Sequence, residues 1–404
     1  MVIIPAAASN ERSNDVTSID TAAVAERLRR VRAVMTDGGV DALVVGPSAD
    51  LLHLSGYDAR PSERLTALVV RADGRDRMVV PTLERPLVEG LGLPDSVTID
   101  AFSETDDPYA LAARALDGSA EAPVIGVGDR LWAMFLLGLQ AEVPDARWVP
   151  ASSVTRELRM RKDPAEVEAL RRAAQAIDRV HARMPEWLRP GRSEAEVGED
   201  VRAAILAEGH AEVSFCIVAS GPNGASPHHH TSDRVIRPGD AVVVDIGGVM
   251  DGYGSDNTRM YFVGEVAREI IDAHEVLERA QRTAVAHAAP GETAGAVDAA
   301  ARDVLTDAGY GEYFVHRTGH GIGLEGHEEP YIVGGNDQLL EPGMTFSIEP
   351  GLYVPGRFGL RIEDIVVVTD DGCERLNTID RAAVRIPGQR TPRPQGGRNE
   401  LPAG

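Results

Sequence analysis

The sequence predicts an α/β protein of two domains, in which the second domain consists of two similar halves. Helical and strand patterns alternate over the first third of the chain. From residue 163 onward, a series of short sequence motifs recurs after 100 to 104 residues. Each of the two copies of the series ends on an acidic residue in an apolar, β-rich run. A length of 404 residues leaves room for both domains.

The N-terminal domain is predicted over residues 21–162, after a flexible segment at 1–20. Helical periodicity indicates a helix at 21–37, and apolar runs bounded by turn residues indicate strands at 41–46, 65–71, 77–81 and 124–127. These residues contain no glycine-rich phosphate-binding motif and no cluster of histidines and acids. We therefore expect the chemistry to lie in the second domain.

A helix start marks the beginning of the second domain. Asp163-Pro164-Ala165-Glu166 combines an N-cap, a proline at the first helical position and a glutamate three residues after the cap. Further along, Ser193 and Thr293 are equivalent N-caps, each preceded by a Pro-Gly pair and followed by a helix that ends at a glycine. The predicted segments are the second domain at 163–386, its halves at about 163–263 and 264–386, and a disordered, Pro/Gly/Arg-rich tail at 387–404.

One phrase ends in an acid in both halves. Arg237-Pro238-Gly239-Asp240 leads to Asp245, and Glu341-Pro342-Gly343-Met344 leads to Glu349, so each acid lies six residues after its glycine. An isolated carboxylate is costly to bury in an apolar strand, whereas a carboxylate that binds a metal is not. Because packing about a pseudo-two-fold axis brings equivalent residues together, the pair indicates a shared metal site.

Each half also supplies a second acid. Asp256 follows the glycine-rich stretch 247–254, which we interpret as a hairpin turn, so that Asp256 can share a sheet face with Asp245. Glu363 has the corresponding place in the second half, with Arg361 two residues earlier on the same strand face. One arginine cannot neutralise four carboxylates, whereas two divalent cations balance them.

Histidine supplies the neutral ligand. The glycine-punctuated segment 319–328 carries His320 and His327, and its counterpart in the first half carries His228. His320 aligns with Ser220, so only one half provides an imidazole ligand. An oxygen-rich set with one histidine suits Mn²⁺, Co²⁺, Fe²⁺ or Zn²⁺, and two such ions activate a water for hydrolysis. Seven further histidines are assigned structural roles, with a place in the pocket wall as the alternative for the last: His53, His181, His229, His230, His274, His287 and His316.

Composition excludes several other classes of function. The formal net charge of −22 and a sequence pI near 4.9 argue against a nucleic-acid partner or an anionic membrane surface. The two cysteines, Cys216 and Cys373, are far apart and match no zinc or redox spacing, which favours a reducing compartment. With no apolar run of about 18 residues and no secretory signal pattern, the predicted location is the cytoplasm.

Four segments together strongly resemble a known family: VVVDIGGVMDGYGSDNTR, TGHGIGLEGHEEP, FSIEPGLY and LRIED. They are similar to the M24 "pita-bread" metallopeptidases, which include creatinase, aminopeptidase P, prolidase and methionine aminopeptidase. The segment LLHLSGY, starting at Leu51, resembles the creatinase-like N-terminal domain of the aminopeptidase P and prolidase branch. The resemblance implies a pita-bread domain of two αβ halves with a curved antiparallel sheet, and a homodimer.

The resemblance also implies roles for individual residues. The metal ligands are Asp245, Asp256, His320, Glu349 and Glu363. Asp245 and Glu363 correspond to shared carboxylates, Glu349 also handles a proton, His228 and His327 contact the scissile peptide, and Arg361 is the arginine near the second-half acid. The cofactors are two divalent ions, with manganese first and cobalt, zinc or iron as alternatives.

The implied reaction is hydrolysis of the bond that precedes proline in a peptide or dipeptide substrate. Tyr331 follows His327-Glu328-Glu329-Pro330, at a position where some prolidases carry arginine to recognise a free carboxylate. The sequence therefore favours an Xaa-Pro aminopeptidase, with an Xaa-Pro dipeptidase as the alternative. A non-peptidase hydrolase or lyase and a binding module are further alternatives, and the complete ligand set argues against both.

Overall fold

The computed structural model describes residues 20–117 and 121–388. The predictions of a flexible N-terminus and a disordered tail fall almost entirely on residues that lie outside this description. By its internal contacts the chain divides into two compact units, Met1–Leu158 and Arg159–Gly404. None of the described helices is long and apolar enough to cross a membrane.

The first unit contains a mixed six-stranded sheet with strand order β4-β3-β2-β1-β5-β6. Its helices are α1 (Thr21–Asp37), α2 (Ala49–Ser55), α3 (Arg85–Gly90), α4 (Pro108–Ala115), α5 (Ala133–Glu142) and α6 (Ser152–Arg159). Its strands are β1 (Ala42–Val45), β2 (Ala67–Arg71), β3 (Asp76–Pro81), β4 (Val97–Phe102), β5 (Val124–Val127) and β6 (Arg147–Pro150). The predicted helix and the four predicted strands are therefore confirmed as α1, β1, β2, β3 and β5.

The second unit repeats the order helix, helix, strands. The first half contains α7 (Pro164–Trp187), α8 (Glu194–Ala207), β7 (Glu212–Ser220), β8 (Ala241–Met250) and β9 (Tyr253–Val263). The second half contains α9 (Arg268–His287), α10 (Ala294–Asp307), β10 (Gly319–Gly321), β11 (Glu328–Ile332), β12 (Thr345–Ile348), β13 (Gly351–Val354), β14 (Phe358–Arg361), β15 (Asp364–Val368), β16 (Cys373–Arg375) and β17 (Val384–Ile386). The strand orders are β17-β9-β8-β7 and β11-β10-β12-β15-β16, and β13 pairs with β14.

Hydrogen bonds at equivalent places confirm the duplication. Ser193 caps α8 and pairs with Val235, and Thr293 caps α10 and pairs with Leu339. Both capped helices have 14 residues. The buried faces of the helices pack on the strands, so that each half has an apolar core, and a further core joins residues of both halves. In both halves, therefore, packed helices support the strands that carry the predicted site residues.

The predicted hairpin turn is wrong in extent. The turn contains only Asp251 and Gly252, both with positive φ (52° and 83°), while β8 and β9 continue on either side. Gly247 lies inside β8, where an added Cβ would come within 2.2 Å of the Ser255 carbonyl oxygen and 2.6 Å of the Phe215 ring. Gly247 is therefore required for close packing within the sheet. A sequence pattern does not distinguish such a glycine from a glycine in a turn.

A buried ion cluster fixes the start of β15. Asp364 is fully buried and accepts hydrogen bonds from Arg259 (2.6 Å), Arg375 (3.0 Å), Arg381 (2.8 Å) and Gln281 (2.9 Å). Burial alone would raise the pKa of Asp364, but the three guanidinium groups outweigh it and lower the pKa to about 2. The cluster anchors the residue next to Glu363.

Candidate metal centre

The predicted site residues meet in one cavity of the second unit, with a volume of about 510 Å³. Its lining includes all eight of them: His228, Asp245, Asp256, His320, His327, Glu349, Arg361 and Glu363. The remaining lining residues are Phe215, Ile217, Pro227, His316 and Arg317. The structure thus brings together residues from both halves of the duplicated unit.

Strand register places the two first-half acids on one face of the sheet. In the β8–β9 pair, Asp245 lies opposite Thr258, and Gly247 lies opposite Asp256. Directly opposed residues of antiparallel strands share a face, and so do residues two apart on one strand. Asp245 and Asp256 are therefore diagonal neighbours, and both are buried.

The two second-half acids flank a second strand pair. Ile348 at the end of β12 pairs with Asp364 at the start of β15, so that Glu349 and Glu363 extend the pair by one position. Thr258 of the first half donates its hydroxyl to Glu363 Oε2 at 2.8 Å. This bond across the two halves holds Glu363 in the cavity.

His320 presents a free ring nitrogen to the acids. Its Nδ1 donates to the Gly321 carbonyl oxygen at 3.0 Å, which assigns the proton to Nδ1. Nε2 lies 3.3 Å from Glu349 Oε1 and 3.7 Å from Asp256 Oδ2. Burial lowers the pKa of His320 to about 4, so the imidazole is neutral at physiological pH and has an Nε2 lone pair for a cation.

The donor atoms fit divalent metal ions. Potential ligand atoms lie within 4.8 Å of one another in the buried group Asp245/Asp256/Glu363 and in the group His320/Glu349/Glu363, in which Glu349 is partly exposed. Asp245 Oδ1 and Glu363 Oε1 are buried without a hydrogen-bond partner. Burial, followed by the neighbouring carboxylates, raises the pKa of Asp256 and of Glu363 well above its ordinary value. These acids therefore need cations, and Glu363 belongs to both groups.

Arg361 offsets part of this negative charge. It pairs with Asp245, donates from Nε to the Thr258 hydroxyl at 3.1 Å, and donates from Nη1 to the Tyr353 hydroxyl at 2.8 Å. The expectation that it shares a strand with Glu363 is wrong, since β14 ends at Arg361 and β15 begins after Glu363. The chain bends between them, yet both side chains line the cavity.

A buried glutamate holds the segment that carries His228. Glu194, at the first position of α8, is fully buried and accepts from the backbone and hydroxyl of both Ser220 and Ser232, and from Asn223 and His229. Burial opposes ionisation, but these donors lower the pKa of Glu194 below its ordinary value. Glu194 thus anchors this segment, and His229 contacts Glu194 rather than the cavity.

His327 and Arg317 lie on the side of the cavity formed by the second half. The His327 ring stacks on His320 with 3.7 Å between centroids, and Arg317 Nη2 donates to His327 Nδ1 at 3.1 Å. The Arg317 guanidinium also lies over the Tyr331 ring, 4.3 Å from its centroid. Arg317 is not among the predicted site residues, although its position three residues before His320 was an available signal.

His316 occupies the pocket wall, as its alternative assignment states. Its Nδ1 donates to the Arg317 carbonyl oxygen at 2.7 Å, and its Nε2 lies 2.9 Å from the Tyr353 hydroxyl. Because Tyr353 also accepts from Arg361, one chain of hydrogen bonds runs along the wall from His316 to Asp245. This chain fixes the polar side of the cavity.

Comparisons with known proteins agree with this geometry. Residues 168–370 match metallopeptidase family M24, and residues 27–161 match the creatinase/prolidase N-terminal domain. The chain is 50% identical over 370 residues to the probable dipeptidase PepE of Mycobacterium tuberculosis, covering 91% of this chain and 98% of that protein. It is 34% identical over 366 residues to an Xaa-Pro dipeptidase of Lactobacillus helveticus, covering 89% and 99%.

Solved structures show the same fold. The crystal structure of dipeptidase PepE from Mycobacterium ulcerans has a TM-score of 0.87 at 50% identity, covering 92% of this chain and 100% of that chain. The X-Pro aminopeptidase from Thermotoga maritima has a TM-score of 0.75 at 28% identity, covering 86% and 98%. These matches confirm the predicted two-domain fold and the predicted class of metallo-exopeptidase, and the chain belongs to metallopeptidase family M24.

Proposed function

We propose that the chain is an Xaa-Pro dipeptidase that uses two divalent metal ions. The observation that carries the proposal is the pair of donor groups that share Glu363, with buried oxygens on Asp245 and Glu363 that have no hydrogen-bond partner. Asp245, Asp256, His320, Glu349 and Glu363 would hold the ions, as the family membership implies. Manganese is the first candidate, and cobalt, zinc and iron are alternatives of similar ligand preference.

The dipeptidase takes the place of the aminopeptidase that the sequence analysis favoured. That preference rested on Tyr331 alone, whereas the relatives that are 50% and 34% identical carry dipeptidase names. The X-Pro aminopeptidase from Thermotoga maritima is 28% identical. A tyrosine at position 331 is weak evidence that the site lacks a basic group for the substrate carboxylate, because another element can bring a basic side chain to the same place.

The chain's own residues explain the reaction as follows. When bound, the ions lower the pKa of a water and polarise the scissile carbonyl. Glu349, whose pKa is raised by burial, takes a proton from the attacking water and delivers it to the proline nitrogen. His327 accepts at Nδ1 from Arg317, so its proton lies on Nε2, where it can stabilise the developing oxyanion. His228 contacts the substrate from the other half.

Hydrolysis rates on matched substrates test the proposal. Metal-free protein is loaded with Mn²⁺, Co²⁺ or Zn²⁺, and kcat/KM is measured on Ala-Pro, Ala-Pro-Ala and Ala-Ala. We expect fast hydrolysis of Ala-Pro only, a loss of at least about 100-fold in Asp256→Asn, and about two ions per chain by elemental analysis. Faster hydrolysis of Ala-Pro-Ala would instead support an aminopeptidase, and an undiminished rate in Asp256→Asn would reject both.

Assembly is the second part of the proposal. A homodimer that acts on small peptides, without nucleic acid or a membrane, agrees with the family membership and with the net charge of −22. Sedimentation velocity at several concentrations measures the mass directly. A species of one chain at all concentrations would reject the dimer without affecting the proposed reaction.

A further inference from the structure

A dipeptide differs from a longer peptide by the free carboxylate on its proline. With the four acids and the metal ions balancing one another, that carboxylate is bound best by a further cation whose donors are free. Two arginines line the cavity, and Arg361 is almost fully buried and occupied by Asp245, Thr258 and Tyr353. Of the two arginines in the lining, Arg317 is therefore the one that has donors available for a free carboxylate.

Arg317 has the free donors for this role. Among the described residues, no carboxylate forms an ion pair with Arg317. One N–H of the guanidinium is donated to His327, and the face of the guanidinium covers Tyr331. A guanidinium has five N–H donors in a fixed fork, so at least two remain for a carboxylate.

We infer that Arg317 binds the C-terminal carboxylate of the Xaa-Pro substrate and so determines the preference for dipeptides. The inference rests on the proposed function, in which His327 contacts the scissile peptide. The substrate carboxylate lies one residue beyond that peptide, and Arg317 is bonded directly to the same imidazole. The contact with the Tyr331 ring and the hydrogen bond to His327 together hold the guanidinium in place before the substrate binds.

The arrangement selects by charge as well as by fit. A carboxylate accepts two charge-assisted hydrogen bonds from an arginine fork. In a tripeptide an amide replaces that carboxylate, which removes the charge and leaves the half-buried guanidinium without a counter-ion. Position 331 carries a tyrosine and not an arginine, and the Tyr331 ring provides the surface on which the Arg317 guanidinium lies.

A comparison of Ala-Pro with Ala-Pro-amide tests the inference, because the two substrates differ only in the group that Arg317 is inferred to bind. The metal-loaded wild type, Arg317→Gln and a matched control are assayed for kcat/KM on both. The control, Arg279→Gln, removes the same charge from an exposed position of α9 outside the cavity lining. We expect Arg317→Gln to lower the rate on Ala-Pro by about 10- to 100-fold, and to lower the acid-to-amide ratio by a similar factor. The control should keep the wild-type ratio.

An indirect role through His327 predicts a different result. Loss of the Arg317–His327 bond alone would lower both rates by one factor and leave the ratio unchanged, and that result would overturn the inference. Arg317→Lys keeps the charge but not the fork, and serves if the glutamine variant does not fold. It should lower the ratio at least about threefold, and a wild-type ratio in this variant overturns the inference as well. A wild type that does not hydrolyse Ala-Pro rejects the proposed function itself, before any variant is compared.

Discussion

Replacement of Glu194 by glutamine should loosen the segment that carries His228 and slow the reaction. The carboxylate accepts the backbone N–H of Ser220 at 2.7 Å through Oε1 and that of Ser232 at 3.2 Å through Oε2. A carboxamide has only one acceptor oxygen, and its NH₂ group must face one of these two N–H groups. The serine hydroxyls can rotate to accept instead, whereas a backbone amide cannot.

The cost follows from this count of donors. One buried backbone N–H without an acceptor costs about 1–3 kcal/mol, and the bonds that remain lose their charge assistance. We therefore expect Glu194→Gln to lower the local free energy of opening by about 2–4 kcal/mol. Because His228 lies in the same segment, its displacement should lower kcat/KM on Ala-Pro by about 10- to 100-fold.

Hydrogen exchange and kinetics measure the two effects separately. Exchange should become faster across 220–232 in Glu194→Gln, under conditions in which the metal content equals that of the wild type. Glu196→Gln is the matched control, since Glu196 lies on the same helix and accepts from the Ser193 N–H at 2.7 Å without contacting the segment. Unchanged exchange in Glu194→Gln would refute the anchor. Faster exchange with wild-type kcat/KM would refute the link to His228.

Three further outcomes follow from buried groups. Asp364→Asn should lower the free energy of unfolding by about 3–5 kcal/mol in urea denaturation, since it leaves the buried Arg259 and the partly buried Arg375 and Arg381 without their shared carboxylate, whereas exposed Asp95→Asn should have little effect. Because the pKa of Asp364 is lowered to about 2, this difference should be complete above pH 3.8 and shrink as the pH falls towards 2, and a difference that grows in acid contradicts the ion cluster. Mn²⁺ at 1,000 times its Kd should stabilise the protein by about 4 kcal/mol in calorimetry, and Asp256→Asn should remove much of that gain while raising the stability of the metal-free protein. Gly247→Ala should destabilise by at least about 1–3 kcal/mol in the same measurement, and wild-type stability would contradict the close packing of β8.

Local physical chemistry explains what the sequence could predict. The capping box at Asp163 and the caps at Ser193 and Thr293 depend on residues within one helical turn, and all three are present. The paired acids Asp245 and Glu349 were recognisable because duplication places the same chemistry twice in one chain. A repeated pattern carries information about long-range contact that a single pattern lacks.

The remainder depended on contacts that no local pattern encodes. The Glu194 anchor joins residues that are 26 to 38 positions apart. Glu363 and Asp364 are adjacent acids, yet one faces the cavity and the other a cluster of arginines, and only the packing of both faces separates them. The inferred role of Arg317 also depends on non-local contacts, because Tyr331 and His327 come from a later part of the chain.

The two halves use one device to hold different chemistry. In the second half, Asp298 on α10 accepts from the Thr318 backbone at 3.0 Å and hydroxyl at 2.8 Å, two residues before His320. Glu194 does the same on α8 for the segment of His228. Allowing for the offset of 100, Asp298 lies one helical turn beyond the position of Glu194, and hence on the same helix face. Each half therefore uses a buried acid to hold its histidine segment, and of His228 and His320 only His320 belongs to a group of possible metal ligands among the described residues. The asymmetry of the site comes from this difference between the two histidines, because the helix and the buried acid that support them are alike in both halves.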